Sequence, residues 1–253
     1  MISLEPGSIL TEKPSFLKRA ADLVRELYRN ERAMWNAHYK RYFKIAARAL
    51  GIGFVVAFVY FMVRPEQEKP ALAYLMKALK DIPLGAPPLD LALTIFYHNA
   101  WASALAVAAG IIPFACLSVL DPLVNGAALG LLASVSKHQG LNVPLLFLRS
   151  VAPHGIIELP AVLYATSAGI YLSVSFAKRV LAKFGKKKDD RGVAPSASPG
   201  GPDSGSFLES YPVKSGPDTE GAGGNVVRSF MIVVLPLLLV AAFIEAFITP
   251  VLH

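Results

Sequence analysis

The stretch Ala152-Pro153-His154-Gly155-Ile156-Ile157-Glu158-Leu159-Pro160 sets an imidazole and a carboxylate in a largely apolar segment, Val143 to Ala177. If the chain is helical from His154 on, His154 and Glu158 stand four apart and share one face. Two other apolar segments carry comparable groups: His98 and Asn99 within Phe96-Tyr97-His98-Asn99-Ala100-Trp101, and Glu245 within Ile244-Glu245-Ala246-Phe247. Neutral histidine and ionised glutamate are ordinary ligands of zinc and other divalent ions, which makes His98, His154, Glu158 and Glu245 the candidate metal-ligating set. The same four residues, with Asn99 and Asn125, could instead form a structural network in which protonated carboxyls hydrogen-bond His and Asn and lock helices together. No HExxH or comparable zinc-hydrolase motif is present, so no residue is assigned a catalytic role. At this level both readings stay open, as does a metal-ion- or proton-dependent transporter or an intramembrane metal-dependent hydrolase using the same groups.

These side chains need helices to position them. With 54% hydrophobic and only 17% charged residues, the chain has the balance of a multi-span membrane protein rather than of a single soluble core. Apolar runs of about 20 residues predict an all-α, polytopic transmembrane bundle of about five spans. Span 1 is expected over 44–63, with Gly51 and Gly53 permitting close helix contact, and span 2 over 91–117, kinked by Pro113. Span 3 is expected over 124–135, span 4 over 154–176 and span 5 over 230–248. Span 3 is short and Asp121-Pro122 reads as a turn before it, so this element is either a tilted span extended into that turn or a re-entrant one. Asn125 stands where it would cap span 3. Pro153 marks a helix start or break within the membrane, and Gly155 would let a neighbouring backbone come close.

The chain divides into residues 1–43, 44–177, 178–228 and 229–253. The first segment alternates Leu17, Leu23, Leu27, Trp35 and Tyr39 with Lys18, Arg25, Arg29, Arg32 and Lys40. This is a basic amphipathic helix suited to an anionic membrane surface or to the protein's own cytoplasmic face. The second segment holds spans 1 to 4, and the third is a basic, then Gly/Pro/Ser-rich linker without hydrophobic periodicity. The fourth holds span 5. The charged, amphipathic start predicts no cleaved signal peptide.

Lysine and arginine gather before span 1 and after span 4, whereas the 64–90 loop is electrically balanced. That bias places the N-terminus and the linker on the cytoplasmic side of the cell membrane. It also accounts for the net charge of +7, so nucleic acid is not an expected partner. Expected partners are the lipid bilayer, other membrane or cell-envelope proteins, and a second copy in a homodimer. The single Cys116 excludes an intrachain disulfide and a Cys-rich metal site. At a rise of about 1.5 Å per residue, His98 lies about 10 Å and Glu245 about 7 Å below the outer boundary, with His154 and Glu158 in the outer half of span 4. Ionisable groups from three spans then share one layer, where the cost of placing them in hydrocarbon favours their facing one another. His38, His138 and His253 lie at interfaces or ends and are expected to be solvated.

Several of these segments resemble a known family. Phe96 to Asn99, Asn125-Gly126 with Gly130, Pro153 to Pro160, and Ile244-Glu245-Ala246-Phe247-Ile248-Thr249-Pro250 are similar to the motifs of the stage II sporulation protein M family of integral membrane proteins. The resemblance covers Phe96 to Thr249 without the linker. In sporulating bacteria it implies a membrane scaffold of an engulfment complex, holding a peptidoglycan transglycosylase and an amidase. Relatives occur widely in organisms that do not sporulate. The resemblance implies no enzyme chemistry at these positions.

Overall fold

The computed structural model describes residues 16–78, 86–113, 117–189 and 221–249. Cys116, His253 and the core of the expected linker, 190–220, lie outside the described residues. The chain falls into two units, Met1–His38 and Tyr39–His253.

In the first unit α1 (Phe16–Met34) is amphipathic. Lys18, Arg25, Arg29 and Arg32 follow one side of it, and Leu23 and Leu27 follow another. The residues after it make a π-helical turn, Trp35–Tyr39.

The second unit contains α2 (Lys40–Val63), α3 (Glu68–Ala78), α4 (Pro88–Ala108), α5 (Leu120–His138), α6 (Val143–Leu146), α7 (Ala152–Asp189), α8 (Ala222–Ser229) and α9 (Leu235–Phe247). Five helical stretches are long and apolar enough to cross a membrane, carried by α2, α4, α5, α6 with α7, and α8 with α9. No strand occurs among the described residues. The all-α, five-span expectation therefore holds.

Three local expectations change. Asp121-Pro122 is not a turn but part of the first turn of α5, lengthening that span to Leu117–His138. A proline is tolerated there because the first amides of a helix have no intrahelical acceptor, and an acidic residue suits the positive end of the helix dipole. Asn125 is consequently inside α5 and caps nothing. The irregularity expected at Pro153 is a π-helical turn, Phe147–Val151, which carries the helix past the proline. A second π-helical turn that precedes a proline, Phe230–Val234, stands before Pro236 at the same spacing. Proline removes a main-chain donor and crowds the preceding turn, and a widened turn absorbs both effects without ending the helix. Finally, α7 continues to Asp189 and α8 begins at Ala222, so the ends of the expected 178–228 linker are helical.

The core is built around α7, in which every residue from Ala161 to Ser173 is buried. A helix covered on all sides cannot present a lipid face, and this one packs against α2, α4 and α9. Small residues allow the close approach. A Cβ on Gly126 would strike the Leu50 carbonyl and one on Gly130 the Phe54 carbonyl, so α2 and α5 touch backbone to backbone. Their contacts rise in number together, which makes them parallel. Gly53 meets Leu123 on the same seam, whereas Gly51, expected to share the role, has nothing within 4 Å. Gly110 meets the Gly169 backbone in the same manner, and Ser173 Oγ donates to the Ile112 carbonyl at 3.0 Å, so α4 runs parallel to α7. Tyr39 is wholly buried, edge-on to Tyr164 and Tyr171 at 5.3 and 5.6 Å, with its hydroxyl 3.2 Å from Ser229 Oγ.

Candidate polar site between helices 7 and 9

His154 and Glu158 lie one turn apart on α7, four residues from each other and on one face of the helix. Antiparallel to that end of α7 runs the last turn of α9, which carries Glu245. His154 Nε2 stands 3.7 Å from Glu245 Oε2. Each of His154, Glu158 and Glu245 offers one ligand atom such that all three atoms lie within 4.8 Å of one another. All three side chains are half-buried. The other imidazole nitrogen, His154 Nδ1, is buried and has no hydrogen-bond partner among the described residues.

Gly155, expected to admit a neighbouring backbone here, has only the Val151 side chain of its own helical run within 4 Å of a built Cβ. Its smallness is not used for helix contact.

His98 and Asn99 are not among the three gathered residues. The inward stripe of α4 is Ala92, Ile95, Ser103 and Ala106, all buried. Asn99 lies between Ile95 and Ser103 on that stripe and is half-buried, while His98 is one step round the helix and exposed. His98 Nδ1 is 3.4 Å from Asn99 Oδ1, a contact between neighbours in sequence. Asn125 Nδ2 donates to Asp121 Oδ1 at 3.4 Å, one turn back on α5. Asp121 is a residue that the sequence reading missed, because next to proline it looked like a turn. Its carboxylate is within electrostatic reach of Glu158, though a weaker neighbour than Glu245, and its Oδ2 is buried with no hydrogen-bond partner among the described residues.

A second polar contact lies elsewhere. Glu68 Oε1, at the start of α3, accepts from Ser134 Oγ at 2.7 Å and lies 2.8 Å from His138 Nδ1. His138 is exposed, as expected for a solvated histidine, and it stands at the end of α5, where a histidine also complements the helix dipole. This contact ties the short α3 to α5.

The chemistry open to the α7–α9 group is narrow. Two carboxylates and one imidazole meet with no lysine or arginine ion-paired to them among the described residues. Such a group can share protons or hold a cation. No curated protein matches the chain, and no solved structure does. The model of the family described as stage II sporulation protein M matches residues 46–250, which takes in most of α2 and of the first expected span and the whole of the other four. With its motifs on the helices of a five-span membrane bundle, the chain belongs to the stage II sporulation protein M family.

Proposed function

We propose that the chain is a scaffold of the cell membrane that holds a transmembrane helix of a cell-envelope partner against the outward face of α4. The observation that carries this is His98, exposed about 15 Å along a membrane-spanning helix. A histidine facing acyl chains at that depth costs several kcal/mol, and a protein neighbour with a polar group removes the cost. Leu93, Tyr97, Trp101 and Leu105 continue the same outward side at four-residue spacing and are all at least half exposed. The resemblance to scaffolds of peptidoglycan-remodelling complexes supports a partner of that kind. The close backbone contacts around α7 support a rigid support rather than a moving transporter.

The test is cross-linking in membranes. Trp101→Cys in a Cys116→Ala background, carrying a photo-reactive label, is expected to yield one adduct of defined mass with another membrane protein. That adduct should disappear with His98→Leu and persist with Glu158→Gln, which keeps hydrogen bonding but not charge. Adducts with lipid alone would sink the proposal, and an adduct of the chain with itself would replace the partner by a second copy.

A further inference from the structure

We propose that His154, Glu158 and Glu245 bind one divalent transition-metal ion of the zinc class, which clips α7 to α9 within the membrane. The argument begins with charge. Two carboxylates whose oxygens lie within 4.8 Å of each other repel strongly when both are ionised in a medium of low dielectric constant. A neighbouring lysine or arginine would relieve this, yet among the described residues the only ion-pair partner of either is His154. A dication neutralises both at once.

Donor type and geometry agree with this. One imidazole nitrogen and two carboxylate oxygens form a mixed nitrogen and oxygen set, which suits zinc and its first-row neighbours rather than calcium or magnesium. Ligands at about 2.0–2.2 Å around a tetrahedral ion stand about 3.3–3.6 Å apart. The 3.7 Å between His154 Nε2 and Glu245 Oε2 is already close to that spacing. Glu158 completes the triangle through its own flexible side chain, being one turn below His154 on the same helix. His154 directs Nε2 toward the carboxylates, so the buried Nδ1 carries the proton in the neutral ligand form. His98 takes no part, since it faces away from the bundle. The site does not depend on the α4 proposal, and either can fail without the other.

The test uses the full-length chain purified in mild detergent, loaded with ZnCl₂, washed and measured by elemental analysis and thermal unfolding. Wild-type protein is expected to retain about one zinc per chain, and His154→Ala or Glu245→Gln to lose at least tenfold in affinity. Glu68→Gln, which removes the carboxylate of the separate His138 contact, is expected to retain the metal. Should either site variant fail to fold, the wild-type protein decides: a chelator must lower its melting temperature and added zinc restore it. Folded wild-type protein that holds no zinc, a chelator without effect on melting, or zinc kept equally by Glu245→Gln would each overturn the assignment. Persistence of the Trp101→Cys adduct in Glu245→Gln would separate this site from the partner surface.

Discussion

At the scale of single residues, some polar groups inside this bundle find protein partners where water is absent, while others, such as His154 Nδ1 and Asp121 Oδ2, are buried without a hydrogen-bond partner among the described residues. Tyr39 is the clearest partnered case outside the α7–α9 group. Its ring is enclosed by Tyr164 and Tyr171 and its hydroxyl meets Ser229 Oγ. Replacing it by Tyr39→Phe keeps the aromatic packing and removes one hydrogen bond, so the expected loss is about 1 kcal/mol. Ser229→Ala should cost a similar amount, and the double variant little more than either, as measured by unfolding in detergent micelles. The sequence made His154, Glu158 and Glu245 visible because an ionisable residue in an apolar run stands out by itself. It could not make Tyr39 visible, since a tyrosine among basic residues at a helix start looks like an interfacial anchor. Nor could it separate His98 from Asn99, because neighbouring positions differ by about 100° around a helix and only the packed bundle says which is turned inward.

Helices add a second level, where glycine decides how near two backbones come. Gly126 and Gly130 of α5 and Gly169 of α7 have backbone or buried side-chain atoms where a side chain would stand, whereas Gly51 has open space. Gly130→Leu and Gly169→Leu are each expected to cost about 3 kcal/mol or more by forcing helices apart. Gly51→Leu should be close to neutral. The yield of folded, monodisperse protein and its melting temperature in detergent distinguish these outcomes. Span number and helical class were readable because long apolar runs report directly on membrane crossing. The seam was only half readable: Gly53 and Gly51 are equivalent in composition, and their difference of roughly 200° round the helix has meaning only once α5 is in place. The π-helical turns were hidden for a related reason, as a proline in an apolar run is equally consistent with a break, a kink or a widened turn.

For the molecule as a whole, helix directions agree with a chain that crosses back and forth. Spans 1 and 3 are parallel through α2 and α5, spans 2 and 4 through α4 and α7, and α9 returns antiparallel to α7. The distribution of Lys and Arg predicts which side is cytoplasmic, and labelling tests it. In a Cys116→Ala background, Gln139→Cys is expected to react with an impermeant thiol reagent on intact cells, and Gly221→Cys only after permeabilisation. The reverse pattern would invert the orientation while leaving the fold untouched. The parallel seam between α2 and α5 also bears on biosynthesis. Gly53 emerges from the ribosome about 70 residues before Gly126, so at about 5–20 residues per second the first span waits several seconds for the neighbour that fills its groove. During that interval the nascent protein exposes an open glycine furrow to the insertion machinery, and the seam closes only after the second span has already turned back across the bilayer.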